Sequence, residues 1–226
     1  VYESKLDSSL NNVVISNTSS INDKLLKLSG GVTFYKSNVN ITNSKFTSST
    51  AEDMLNFVKS KYVISDSVML SARSDAIDSD FSDGYIRNLI IDNVGGDAID
   101  TSGTNLKILN LKVSQVIDKA ISAGESSSVS ISKCSLENVG VGIASKDGSN
   151  VSVSGCTIKN AKLSALMSYT KKDFYGKPGL DVRLSNLDVK TKFIRQREAK
   201  LVINGELVPY SNLNVGKLYK STFMKK

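Results

Sequence analysis

The sequence predicts an all-β fold, a single-stranded right-handed parallel β-helix of about 22 residues per rung with a C-terminal strand and hairpin cap. The first observation is a repeat in register. Asp53-Met54-Leu55-Asn56 aligns with Asp75-Ala76-Ile77-Asp78, Asp97-Ala98-Ile99-Asp100 and Lys119-Ala120-Ile121-Ser122, and Leu55, Ile77, Ile99, Ile121 and Ile143 recur without slippage. The second is that each such unit is followed by two more alternating runs, as in Leu106-Lys107-Ile108 and Leu111-Lys112-Val113. The third is the recurrence of Asn93, Gln115, Asn138 and Asn160 between units, where stacked amides can satisfy turn backbone along one corner. A rung cannot bury its apolar side alone, so neighbours must stack above and below it. A leucine-rich horseshoe would show Leu-x-x-Leu-x-Leu and a left-handed hexapeptide helix a six-residue sub-period, and neither is present.

Along the chain, residues 1–29 carry a blurred version of the pattern, including Val13-Val14-Ile15, and form an N-terminal cap with an irregular first rung. Gly30-Gly31-Val32-Thr33-Phe34 opens the clear register, and residues 30–185 form the rungs. The polar run from Tyr169 to Pro178 reads as an extended loop, after which Leu180-Asp181-Val182-Arg183-Leu184 resumes alternation. Residues 186–226 form a basic cap, in which Asn204-Gly205 sets a tight type I′ turn between two short apolar runs.

Composition excludes several chemistries. The chain has no His, which removes Ser-His-Asp triads, His-ligated metals and His general bases. No apolar run reaches the roughly 18 residues of a membrane span. Val1 leads into polar sequence without a secretory leader or initiator Met, so a piece of a longer protein is expected. Cys134 and Cys156 lie one repeat apart. Stacked about 4.8 Å apart, they are expected to be free thiols in the core. The net charge of +7 is unevenly spread. Asp75, Asp78, Asp80, Asp83, Asp92, Asp97 and Asp100 crowd the centre, whereas Lys171, Lys172, Lys177, Arg183, Lys190, Lys192, Arg195, Arg197 and Lys200 crowd the end. No basic and aromatic interleaving of a nucleic-acid platform is present, so nucleic acid is not an expected partner.

The register places side chains beside one another. Asp53, Asp75 and Asp97 form one column ending at Lys119, and Asn56, Asp78, Asp100 and Ser122 form the next, with Asp80 and Ser102 beside it. With Leu55, Ile77 and Ile99 pointing inward, alternation turns Asp78 and Asp100 outward onto an exposed face. Like charges this close need compensation. Ca²⁺ could bridge Asp78, Asp80 and Asp100; a proton could be shared; or Lys119, Arg73 and Lys146 could neutralise the row. Solvated aspartates capping turns are the plain alternative. In a catalytic reading, Asp75, Asp78, Asp97, Asp100 and Lys119 carry lyase or epimerase chemistry on an anionic glycan, with Lys119 as base. Asn56, Asp80, Ser102, Ser122, Glu125, Lys146 and Asp147 would then contact ligand on neighbouring rungs.

Gly31-Val32-Thr33-Phe34-Tyr35, Glu52-Asp53, the run from Ser74 to Gly84, Gly96-Asp97-Ala98-Ile99-Asp100, the run from Asp118 to Glu125 and Gly142-Ile143-Ala144-Ser145-Lys146-Asp147 together resemble the right-handed parallel β-helix modules of the pectate-lyase-like superfamily. The nearest type is the module of larger secreted bacterial proteins, some of which also carry a spore-coat-type kinase domain. The resemblance spans roughly Gly30 to Asp181. It implies a fold shared by polysaccharide lyases, polygalacturonase-type hydrolases, epimerases and non-catalytic modules. The Asp-Ala-Ile-Asp units are similar to the acidic cluster of the polygalacturonase-type hydrolases, but the His-containing motif of that family is missing. The leading expectation is a non-catalytic polysaccharide-binding or scaffold module of a larger extracytoplasmic protein, at a bacterial cell surface, with polysaccharide or neighbouring domains as partners. A lyase or epimerase and a purely structural spacer are the alternatives.

Overall fold

The computed structural model describes residues 1–24, 26–187 and 192–220. The chain winds through about eight turns of a parallel β-solenoid, each with three strand faces. The first face holds Gly30–Tyr35, Asp53–Val58, Asp75–Asp80 and Ile99–Ser102, then the C-terminal parts of Asn105–Gly124, Ser128–Lys146 and Asn150–Tyr169, and finally Phe193–Arg195. Leu55, Ile77, Ile99, Ile121, Ile143 and Leu166 pair rung to rung on it, as the repeat predicts. The second face follows with Val39–Thr42 and residues 61–65, 83–87, 105–109, 128–132 and 150–154, and the third with Lys45–Ser49 and its counterparts.

Each rung turns through left-handed backbone, which short polar residues tolerate best. Asn43, Asp66, Asn88 and Asn110 take positive φ where the second face meets the third, and Asn93, Gln115, Asn138 and Asn160 do so where the third meets the first. Amides stack along these corners: Asn110 Nδ2 donates to Asn88 Oδ1 at 2.8 Å, and Asn160 Nδ2 to Asn138 Oδ1 at 3.1 Å. Gln115 departs from the stack and donates to Asp92 instead.

A different device holds the corner between the first and second faces. There the backbone N–H of Ser37, Ser60, Ser82, Thr104 and Ser127 donates to the hydroxyl of the next rung, at 3.0 to 3.2 Å, through Ser60, Ser82, Thr104, Ser127 and Ser149. The Ser60 and Ser82 hydroxyls also donate to their own rung's carbonyls, Val58 and Asp80, both at 2.9 Å. Every member of this ladder is buried, so each bond answers a donor that water cannot reach.

The core is continuous from Phe34 to Leu201. Near its start Phe34, Phe57 and Tyr62 stack, with ring centroids 5.7 and 4.0 Å apart. Gly84 makes room for Tyr62, since a Cβ there would lie 2.3 Å from the Tyr62 ring.

Two expectations require correction. Cys134 and Cys156 are joined as a disulfide, not held as free thiols. They are register partners in one inward column, and their Cα atoms approach to 4.3 Å, closer than the ordinary strand spacing. Their Cβ atoms project the same way into the core, which brings the two sulfurs together. The stretch from Tyr169 to Pro178 is not simply extended: Tyr169 is buried at the end of a strand, and Asp173–Tyr175 forms a 3₁₀ turn.

At the N-terminus Ser8–Asn11 and Val14–Ser16 pair in parallel with Val39–Thr42 and Lys45–Ser49, giving the blurred segment the second and third faces of an incomplete rung. At the other end Lys200–Ile203 stacks on Gly179–Leu187 and pairs antiparallel with Glu206–Leu207. Asn204 and Gly205 both have positive φ, as a type I′ turn requires. Arg195, expected in a basic cluster, is buried and donates to the carbonyls of Val208, Arg197 and Ala199, tying the cap together. Lys190, of the same expected cluster, lies outside the described residues.

Ser82→Ala removes the acceptor of the buried Ser60 N–H and should cost about 1–3 kcal/mol in urea unfolding. Ser130→Ala, at an exposed position, should change stability by less than about 0.5 kcal/mol; equal costs would refute the ladder's role. Thiol titration of the denatured protein should find no reactive cysteine before reduction and both Cys134 and Cys156 after it.

Candidate functional site

The acidic columns lie on the first face, where the third–first turn delivers one residue of each rung to the same place. Asp75 Oδ1 accepts the Asp97 N–H at 2.8 Å, and Asp97 Oδ1 accepts the Lys119 N–H at 2.9 Å. Each carboxylate therefore caps the backbone of the following rung. The column ends at Lys119, whose Nζ donates to Asp97 Oδ1 and Oδ2 at 3.0 and 3.3 Å and to Asp118 Oδ2 at 2.7 Å. This clamp is closed, with the Lys119 side chain only 2% exposed.

In the next column Asn56 Nδ2 donates to Asp78 Oδ2 at 3.3 Å, Asp78 pairs with Asp100, and Asp100 pairs with Ser122. Lys146 comes in from two rungs beyond Asp100, its Nζ 3.8 Å from Asp100 Oδ1. Asp80 and Ser102 are register partners beside this column, both half-buried. Glu125 and Asp147 are not part of the group. They sit at the opposite edge of the face, where Glu125 pairs with Lys172. Asp147 Oδ1 there accepts the Lys171 and Lys172 N–H groups at 2.6 and 2.7 Å.

The row expected to face solvent is largely closed. Asp75 and Asp97 are 2% and 1% exposed and Asp100 is 8%, while Asp78 is half-buried and Ser122 fully buried. Alternation turns Asp78, Asp100 and Ser122 off the core as expected, but Lys146 reaches back over Asp100. Asp75 and Asp97 share the parity of Ile77 and Ile99 and are closed in by the backbone of the following rung and by Lys119. The C-terminal segment covers the adjoining rungs: Leu213, Val215, Leu218 and Tyr219 pack on Val141, Ala144, Met167 and Tyr169. The Tyr219 and Tyr169 hydroxyls lie 2.7 Å apart, and Lys171 Nζ sits 4.0 Å from the Tyr219 ring centre.

Among the described residues the carboxylates that converge, within 4.8 Å, are Asp75, Asp97 and Asp100. Of the calcium set expected from sequence only Asp100 belongs to this group. Ca²⁺ takes six to eight oxygen ligands, whereas here two ammonium groups already reach Asp97 and Asp100. The residues fit a buried ion-pair network better than a calcium cage.

The protonation states follow from this packing. For Lys119, burial pulls the pKa down, but the adjacent Asp97 and Asp118 charges outweigh it and hold the amine well above its ordinary range. For Lys146 burial again pulls the pKa down, but the charges of Asp100, Tyr219 and Asp97 together outweigh it and leave the amine raised. Asp118 is pushed up to about 6, first by burial and then by the Asp97 charge, against the pull of Lys119. Its Oδ1 is buried without a hydrogen-bond donor among the described residues. Asp118 carries no periodic signal in the sequence, because it breaks the repeat: Ser74 and Gly96 occupy its place on the preceding rungs. Tyr219 lies beyond the repeat and gave no periodic signal.

Asp118 has a folded pKa of about 6 against an unfolded value of 3.8. The stability it contributes is therefore complete below the unfolded value and lost as pH rises through the folded one. Between pH 7 and pH 4 the stability difference between wild type and Asp118→Asn should move in favour of wild type by roughly 2 kcal/mol. Parallel stability–pH curves for the two proteins would contradict this assignment.

Comparison with known proteins matches one family model, described as a right handed beta helix region, to residues 30–177. No curated protein and no solved structure matches the chain. The matched residues run from the first strand of the clear register through the loop before Gly179–Leu187, so they take in the rungs that carry the carboxylates and the lysine clamp. The chain belongs to the right-handed β-helix family.

Proposed function

We propose that this chain is a non-catalytic β-helix module that binds polysaccharide or holds neighbouring domains in a larger extracytoplasmic protein. The observation that carries this reading is the clamp on Lys119. A lysine general base needs a depressed pKa, whereas Lys119 is buried between Asp97 and Asp118 and held protonated. Asp75 and Asp97, the carboxylates of its column, cap backbone N–H groups. The Cys134–Cys156 disulfide suits an oxidising, extracytoplasmic setting. No helix among the described residues is long and apolar enough to cross a membrane.

One observation favours the alternative, a lyase or epimerase for anionic glycans. Asp118, with a pKa near 6, could exchange a proton near neutral pH. The two readings separate in a direct assay. Incubation with uronate polymers in D₂O between about pH 5 and 9 should give neither a rise in the absorbance of unsaturated products, which a lyase would form, nor deuterium at C5, which an epimerase would introduce. A rise that Asp118→Asn abolishes would establish the enzyme. A glycan array without hits, together with unchanged melting on addition of Ca²⁺, would leave only a spacer.

A further inference from the structure

A second concave surface lies away from the carboxylates, on the outer side of the second face. It is a groove of about 930 Å³ that runs along the solenoid axis from Asp7 to Lys200. Its construction repeats on each rung. The first and third residues of a three-residue window point outward as walls, while the middle residue points into the core and leaves its backbone as the floor. In Lys61-Tyr62-Val63, Asn105-Leu106-Lys107 and Asn150-Val151-Ser152 the middle side chain is buried.

Resting on the reading of the chain as a binding module, we infer that this groove is a track for a neutral, unbranched polysaccharide. Three features select that occupant. First, the charged lining residues alternate in sign along the axis and cancel: Asp7, Lys61, Asp83, Lys107, Asp181 and Lys200. A groove built for an anionic polymer would carry an excess of positive charge. Second, the stretch between Lys107 and Asp181 is paved with Ser128, Ser130, Asn150 and Ser152, all exposed. They offer uncharged donors and acceptors at a rung spacing of about 4.8 Å, a regular comb for a polymer with a regular repeat. Third, Tyr85 stands in the wall 37% exposed, a ring face available for stacking. A peptide strand is disfavoured because the floor's N–H and C=O groups are already engaged in the parallel ladders and offer no edge to extend.

The test is calorimetric titration of the intact chain with two probes, a soluble linear β-glucan oligosaccharide mixture and polygalacturonate oligosaccharides. The proteins are wild type, Tyr85→Ala, Ser130→Arg and the first-face variant Asp78→Asn/Asp100→Asn, each first checked for wild-type melting. The groove predicts binding of the neutral probe that varies little with salt and is weakened roughly tenfold or more in both Tyr85→Ala and Ser130→Arg. The first-face variant should retain it. Binding lost in the first-face variant but kept in Tyr85→Ala and Ser130→Arg would overturn the groove while leaving the binding-module reading standing. A preference for polygalacturonate that fades with salt would overturn the neutral occupant. Self-association abolished by Ser130→Arg would replace it with a second copy of the chain. Absence of binding to either probe would overturn the groove as a glycan track and leave of the reading only a module that holds neighbouring domains.

Discussion

At the corner between the first and second faces the chain turns so that a backbone N–H meets no carbonyl of the next rung, and a buried hydroxyl takes the carbonyl's place. This exchange works only when successive rungs are held at one pitch and one register. A slip of one residue at Ser82 would bring Phe81 or Asp83 to the position of the acceptor, and would also turn each strand's apolar set outward. The amide stacks at the other two corners impose the same condition. Register is thus specified at every corner of the rung, and the isoleucine column of the first face follows from it.

A fixed pitch also has a cost, because equivalent side chains are forced together whatever their charge. Asp53, Asp75 and Asp97 recur at strand spacing with no freedom to move apart. The fold resolves this without solvent. Asp75 and Asp97 each accept a backbone N–H from the following rung, and the column then ends in a lysine clamped by Asp97 and Asp118. Pairing of this kind holds Lys119 protonated and raises Asp118, so the network fixes charge states more than it supplies a reactive group. A buried network that holds its lysine protonated is a poor place to look for a base.

Much of the architecture was legible in the sequence because a solenoid writes its contacts at constant spacing. The column Leu55, Ile77, Ile99, Ile121, Ile143 and the corner residues Asn138 and Asn160 recur at constant spacing, and their spatial stacking follows directly. The hydroxyl ladder was hidden by composition: serine is so common in this chain that Ser60, Ser82 and Ser127 do not stand out. Alternation told which way Asp100 points but not what lies above it, and the cover comes from Lys146, two rungs further on. The disulfide depends on a Cα approach of 4.3 Å, a local departure from ideal spacing that no repeat length encodes. The segment ending at Tyr219 packs on Met167 and Tyr169 from outside the repeat, where periodicity has nothing to say.

The three faces of a solenoid are equivalent in backbone but not in the work given to their outward side chains. On the first face Lys119 pairs with Asp97 and Asp118 and Lys146 with Asp100, and the C-terminal segment covers the adjoining rungs. On the second face the structural polar group is the buried hydroxyl at the corner, set into the rung and away from its outer surface. Outward positions such as Tyr85, Lys107, Ser130 and Ser152 then lie beyond the ladder that sets the register. A surface freed from specifying the fold can vary toward a ligand without unsettling the stack, and on that ground the proposed recognition is assigned to the groove and not to the carboxylate row.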